Sequence, residues 1–451
     1  MLYRDNGIYK FRYDYSKCMM MKLPMAYPEP KDTSKSHVIM NFEQALDYIK
    51  EIDNMTPGIT KIYYLVGWQY NGHDDKYPDF FEVNSALGRK QDASARDSLI
   101  WLHEEAKKYS SVVSLHINFN DAYRDAPSFG EFVKRGALIR RRNGKPRAIE
   151  RYNGKRCYKT CFKGYWESGL FKRNVDRLIE LLPFLPECGT VHVDNFQCYH
   201  NYAPSVSISE MQDYRRKMID YVHGKGIDIT SEFTYKETES LPNRKIFGLP
   251  REHHWNAPMD TVGLIPASWW CTRMNRRELV EVPPQLYSGG IYKDKRYSKY
   301  LYGNIHGEDI IKPDIDNREQ KFMLQFATVQ VPYHFLCTHK RLGIYGHGAN
   351  ERCEFSDGII SYCKDSTITQ NGEVLKKNGT VFLPYIHREN CCFAYSETGE
   401  TLNTKVPFPG NIAKIYALTP SGMIPKTRVK LNGGKLRLET VPGEALIIDI
   451  E

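Results

Sequence analysis

The sequence predicts an α/β fold: a (β/α)8 TIM-type barrel with an N-terminal extension over residues 1–342, then an all-β sandwich over residues 343–451. Three observations carry that expectation. From about Phe42 to Val331, short β-branched runs alternate with longer amphipathic stretches, the rhythm of repeated βα units. A doubly wound sheet is the alternative, but no Gly-rich phosphate loop follows any of these strands, as a Rossmann or P-loop fold would require. After Gly343 the texture changes to short, closely spaced strands separated by Asn-Gly, Gly-Gly and Pro-Gly turns.

Each element follows from its own pattern. "KIYYLVGW" (Lys61–Trp68) reads as a strand and "ARDSLIWLHEEAKKY" (Ala95–Tyr109) as an amphipathic helix. "SVVSLHINFN" (Ser111–Asn120) is the next strand, and "KRNVDRLIELLPFL" (Lys172–Leu185) the next helix. "TVHVDNF" (Thr190–Phe196) is a strand, Ile208–Gly226 a helix with a glycine stop, and "IDITSEF" (Ile227–Phe233) a strand. These strands are nearly continuous apolar runs rather than strict alternations, as expected of parallel strands buried on both faces. The region beyond Gly343 carries no cluster of reactive side chains and is expected to buttress the barrel.

Composition narrows the function. With 451 residues, 41% hydrophobic and 26% charged, the chain exceeds one ordinary core and reads as soluble and globular. Aromatics reach 13%, including 31 Tyr and 6 Trp, which suits a cleft that stacks on sugars or bases. The net charge of +9 is scattered; its tightest cluster, "RRRNGKPR" (Arg140–Arg147), reads as a solvated loop around an Asn-Gly turn. Without a basic stripe or a recognisable module, no nucleic-acid partner is expected. No apolar run approaches the roughly 18 residues that span a bilayer, so no membrane partner is expected either. "CMMMKLPMAY" (Cys18–Tyr27) is too short and too late for a signal peptide, and the polar N-terminus points to a cytoplasmic protein. The 11 cysteines, odd in number and without staple or zinc spacing, are expected to be reduced thiols; neither metal nor cofactor is implied.

In a parallel barrel the chemistry lies at the carboxyl ends of the strands. There the sequence delivers Trp68, Gln69, His73 and Asp74, then His116, Asn118 and Asn120, then Asp194, then Glu232. Asp194 alone is as easily turn punctuation as a reactive group. Paired with Glu232 on the next strand it matches what glycosidases need, two carboxylates about 5–9.5 Å apart across a scissile bond. Carbohydrate is therefore the expected partner. His253 and His254 are adjacent and diverge too much to share a metal, whereas Trp255, Trp269 and Trp270 suit a sugar wall or core packing equally.

"VGWQYNGHDDKYPDFFEVNSALG", "SLHINFNDAY", "VHVDNF" and "ITSEF", in this order, resemble the barrel of the endo-α-N-acetylgalactosaminidases, glycoside hydrolase family 101, and the related family 129. The G-W-Q-x-x-G-H-D block is the most specific part, and the likeness runs from Tyr63 to Trp255 with a fainter continuation at "LYGNIHGED". The resemblance implies a retaining hydrolase of α-linked N-acetylgalactosamine or galactose, as in O-glycans. It also implies Asp194 as nucleophile and Glu232 as acid/base. Trp68, Gln69, His73, Asp74, His116, Asn118 and Trp255 would bind the sugar. Members of that family are typically large and secreted, unlike this compact chain, which favours small glycosides as substrates. Two rival readings use the same residues: a metal-dependent barrel hydrolase with His73, Asp74, His116 and Asp194 as ligands, and a non-catalytic carbohydrate-binding barrel.

Overall fold

The computed structural model describes residues 10–194, 196–231, 264–266, 302–303, 305, 307–308, 310 and 316–451. The chain opens with a parallel sheet of six described strands: β1 (Cys18–Pro24), β2 (Thr60–Val66), β3 (Ser111–Ile117), β4 (Thr190–Val193), β5 (Asp228–Ser231) and β6 (Leu264–Pro266). Helices α1 (Phe42–Met55), α2 (Ala95–Ala106), α3 (Leu170–Leu181) and α4 (Ile208–Gly224) stand between them. Every strand pairs in parallel with its predecessor in the chain. A doubly wound sheet reverses strand order at its switch point, so this sequential order resolves the alternative in favour of barrel-type winding. The described strands form a half-barrel. Helices α1 to α4 lie in the crossovers that such parallel pairing requires.

The strand β1, absent from the sequence-based expectation, is the sheet's first member. "CMMMKLP" has no β-branched residue; its extended form is imposed by pairing with the β-rich "TKIYYLV" of β2, all of it in register from Cys18↔Thr60 to Pro24↔Val66. Helix starts follow local chemistry. Asn41 and Gln44 form a reciprocal capping box on α1, and the hydroxyls of Ser94 and Ser207 accept the backbone N–H groups of Asp97 and Glu210. Helix α2 ends at Ala106 in a short 3₁₀ turn, and the expected Lys172–Leu185 helix begins earlier and stops at Leu181. No helix among the described residues is long and apolar enough to cross a membrane.

Inside the sheet runs a column of rings. The Tyr64 and His192 centroids lie 5.5 Å apart, His192 and His116 5.2 Å, and His116 and His73 5.0 Å. Its lower end is polar and closed by residues before β1. Arg12 donates its backbone N–H to Asp228 Oδ2 at 2.6 Å, and the Tyr15 hydroxyl bridges Thr190 Oγ1 and Asp228 Oδ2, both at 2.9 Å.

From Arg341 onward the chain forms a ten-stranded antiparallel sheet, covered on one side by the two-stranded pair Thr401–Lys405 and Lys435–Glu439. Leu402, Leu436 and Leu438 of that pair pack with Phe382, Ala394 and Ile448 of the large sheet, so the expected sandwich has two very unequal layers. A second face joins the half-barrel directly. The Tyr385 hydroxyl donates to Pro57 O at 2.8 Å, Asn54 Nδ2 to Pro420 O at 2.6 Å, and one apolar core contains both Phe326 and Phe393. The expected buttressing role fits these contacts.

Burial pushes the Asp228 carboxyl up to about 7, against the opposing backbone N–H of Arg12, the Tyr15 hydroxyl and the Arg12 charge. A carboxyl raised in the folded state stabilises the fold below its unfolded value, near 3.9, and loses that contribution as pH rises through about 7. Asp228→Asn is therefore expected to flatten the fall in stability between about pH 4 and 7, read as melting temperature against pH; a parallel fall in both proteins would refute this.

Candidate active site

The site begins with a close approach of two backbones. After β2, Gly67 adopts φ +78°, and a Cβ there would lie 1.9 Å from Ala26 O and 2.7 Å from His73 N. At Gly72, with φ +127°, a Cβ would lie 2.6 Å from the same carbonyl. These two glycines let the G-W-Q-x-x-G-H-D block fold back onto Ala26, two residues beyond β1, where His73 N donates to Ala26 O at 2.9 Å. Only glycine fits both positions.

The block then divides into support and lining. Trp68 and Gln69 have 0% exposed surface. Trp68 stacks on Phe80 and donates its indole N–H to His116 O at 3.1 Å, while Gln69 Nε2 donates to Gly72 O at 3.1 Å. Both residues expected to bind sugar are fully buried, and their hydrogen bonds hold the block against β3 and against its own turn. His73 reaches the open side: its ring meets His116 edge-on, its Nε2 lies 3.5 Å from Asp74 Oδ2, and the Tyr77 hydroxyl is 3.4 Å from its Nδ1. Asp74 adopts a left-handed backbone, φ +58°, and its carboxyl is raised by burial, opposed by His73 and reinforced by the charge of Asp194.

From β3 come His116 and Asn118. Asn118 Oδ1 accepts the backbone N–H groups of Asn120 and Asp121 at 2.8 and 2.9 Å, which locks the turn leaving the strand. Its Nδ2 is thereby aimed at two carboxylates, Asp121 Oδ2 at 3.0 Å and Asp194 Oδ2 at 3.4 Å. Asp194 continues β4 by donating its N–H to Ile117 O at 2.9 Å, and its own carbonyl accepts from Ser231 Oγ of β5 at 3.4 Å. Held on both sides, it turns its carboxylate toward His116, whose Nε2 is 3.7 Å from Oδ2.

Electrostatics divide these groups. Burial, reinforced by the charge of Lys22, pushes His116 down to about 3, so the imidazole is neutral near pH 7. Burial would raise the Asp194 carboxyl as well, but the His116 contact and the positive charge of Lys22, with His73, outweigh it and hold it well below the ordinary carboxylate range. The ligand atoms of His73, His116 and Asp194 lie within 4.8 Å of one another, a spacing that also suits a cation.

Sequence reasoning missed three supporting charges. Lys22 of β1 is 4% exposed, and its Nζ lies 3.9 Å from Glu308. It is the only charged residue in "CMMMKLPMAY", and a lone lysine in so apolar a run was the available signal. Lys159 and Asp121 form a buried pair at 2.6 Å, with Glu150 2.7 Å from the same Nζ. Nothing local announces that pair, because the strands Ala148–Tyr152 and Lys155–Lys159 that carry Lys159 and Glu150 form a hairpin inserted between β3 and β4. The structure thus brings His73, Asp74, His116, Asn118 and Asp194 to one end of the sheet. Glu232 and Trp255 lie outside the described residues, as do His253, His254, Trp269 and Trp270.

Burial pushes Asp121 up to about 6 even with Lys159 beside it, so the pair is expected to act as a unit. Lys159→Met should cost ~3–5 kcal/mol of stability by stranding a buried carboxylate, and adding Asp121→Asn should recover much of it. Urea unfolding of the two variants checks this; no recovery in the double variant would contradict it.

Comparison with known proteins gives the same picture. The family model described as endo-alpha-N-acetylgalactosaminidase, glycoside hydrolase family 101, matches residues 16–152. That span starts at β1, earlier than the likeness visible by eye. Among solved structures, the ligand-free α-N-acetylgalactosaminidase NagBb from Bifidobacterium bifidum superposes with a TM-score of 0.53 at 15% identity, covering 79% of this chain and 58% of that one. The complex of the same protein with GalNAc superposes with a TM-score of 0.52 at 14% identity, covering 78% and 57%. At this identity the likeness establishes a shared fold, and the chain spans less than two thirds of the length of that protein. Over residues 16–152, this chain is similar to the endo-α-N-acetylgalactosaminidases of glycoside hydrolase family 101.

Proposed function

We propose that the chain is a retaining glycoside hydrolase acting on α-linked N-acetylgalactosamine or galactose. One observation carries the reading: the Asp194 carboxylate stands at the tip of a central strand, with Asn118 Nδ2 3.4 Å and His116 Nε2 3.7 Å from its Oδ2. A carboxylate so placed, and held below the ordinary carboxylate range by its neighbours, is suited to attack an anomeric carbon. In the proposed reaction Asp194 forms the bond to that carbon as the glycosidic C–O bond breaks. Glu232, which follows Ser231 in the sequence, gives its proton to the departing oxygen. Glu232 then takes a proton from water, whose oxygen displaces Asp194 and restores both groups.

Asp74, His73, His116 and Asn118 would take ring hydroxyls, with Trp255 as a wall. Asp74 and Asp194 have their carboxyls pushed in opposite directions, so the two acids are fitted to different work: Asp194 to carry charge, Asp74 to share a proton with a hydroxyl. Hydrolysis of aryl α-glycosides of N-acetylgalactosamine, galactose and glucose tests the reading. Asp194→Asn is expected to lower kcat by at least about a thousandfold, with the first product released in the α configuration by proton NMR. Failure to cleave any of the three, or full activity in Asp194→Asn, would overturn it.

The clustering of His73, His116 and Asp194 supports a second reading, a metal-dependent hydrolase. Dialysis against EDTA separates the two. Activity restored only by added Zn²⁺ would support the metal, and unchanged activity would dismiss it.

A further inference from the structure

The basic loop Arg140–Arg147 is an ordered structure. Arg141 N donates to Lys145 O and Gly144 N to Arg141 O, each at 2.9 Å, closing the expected Asn-Gly turn, and Arg147 N donates to Ile139 O at 2.8 Å. The turn is fastened to the connection between β4 and α4, where Asn201–Tyr202 and Ser205–Val206 form a small hairpin. Arg140 N donates to Asn201 Oδ1 at 2.7 Å, and Tyr202 N donates to Arg140 O at 3.1 Å.

Between turn and hairpin lies an open depression of about 380 Å³ lined by Arg141, Arg142, Arg147 and Tyr202. The guanidinium centres of Arg142 and Arg147 stand 5.9 and 5.8 Å from the Tyr202 ring centroid, and that ring is 38% exposed. Among the described residues, no carboxylate lies within ion-pair distance of these three arginines. Neighbouring loops elsewhere on this face pair their cations closely, as Lys155 does with Asp75 and Asp125 at 2.6 and 2.7 Å. Three like charges gathered around one pocket repel each other, and an oxyanion relieves that repulsion. Guanidinium forks fit such a group bidentately, while an exposed tyrosine offers a flat face to a pyranose.

The pocket stands at the same end of the sheet as Asp194. Its two walls are the connections that leave β3 and β4, and they are tied together where Asn120 Nδ2 donates to Gln197 O at 2.9 Å. We propose that Arg141, Arg142, Arg147 and Tyr202 form a subsite for an acidic substituent of the glycan, a sulfate ester or a carboxylate, on a sugar removed from the bond that is cleaved. This rests on the glycosidase reading above and gives it a substrate class: acidic rather than neutral glycans.

Binding by the full chain carrying Asp194→Asn tests it without turnover. The probes for calorimetry are a sulfated galactosyl disaccharide, a sialylated trisaccharide, the neutral disaccharide and a short single-stranded oligonucleotide. At least one acidic sugar is expected to bind about tenfold tighter than the neutral one at low salt, with the advantage shrinking as salt screens it. Which acidic sugar holds that advantage identifies the anion. Adding Arg141→Ala and Arg142→Ala should erase the difference; if that variant unfolds, Arg142→Gln with Arg147→Gln reads the same quantity. Equal binding of acidic and neutral sugars would overturn the proposal. So would an advantage that survives loss of the arginines, or an oligonucleotide that binds as tightly as the acidic sugar. Wild-type hydrolysis of a neutral aryl glycoside is measured beside it. Its failure alone counts against the glycosidase reading, whereas loss of discrimination alone counts against the acidic subsite.

Discussion

The charge of Asp194, a strand-tip carboxylate that is only partly exposed, is the constraint around which this end of the molecule is arranged. Protein dipoles and a buried cation supplement the solvent that reaches it. Asn118 supplies an N–H, His116 faces it as a neutral ring, and Lys22 supplies positive charge from β1. The site is preorganised in the sense that matters for charge developing or moving during a reaction.

Strand order makes this possible. Because every described strand pairs with its predecessor, residues far apart in the chain arrive side by side at one edge: Lys22 from β1, His73 and Asp74 after β2, His116 and Asn118 from β3, Asp194 after β4. The ring column from Tyr64 to His73 passes through the same interior and gives the site a floor of aromatic and imidazole faces rather than aliphatic ones. Beneath it, Trp68 and Gln69 set the height of the loop carrying His73, so the specific-looking block after β2 is half scaffold and half site.

Much of this was legible in the sequence, for identifiable reasons. β-Branched runs ending in Asp194 and in His116–Asn118 announce buried parallel strands with polar tips, and the structure places both tips together. Strand β1 was not legible, because methionine and lysine carry no strand signal and only the pairing with β2 makes them extended. Orientation was hidden too. Trp68 reads as a sugar-facing aromatic, yet the turn at Gly67 points it inward, where Phe80 and the His116 carbonyl receive it. The Lys159–Asp121 pair was invisible because an inserted hairpin, with no local pattern linking the two residues, creates it. The basic turn was seen as a turn; that the hairpin after Asp194 gives it a second wall is a tertiary fact.

The contact between the half-barrel and the antiparallel sheet has a consequence of its own. Gly58, at the foot of β2, lies so close to the large sheet that a Cβ would stand 2.6 Å from His387 O. His387 in turn meets His334 at 2.8 Å, and His334 reaches the Cys18 carbonyl of β1 at 3.2 Å. A change of texture in the sequence therefore does not coincide with a seam in the packing. Residues of both regions belong to one apolar core, so a cut at the point where the strands change direction would pass through that core.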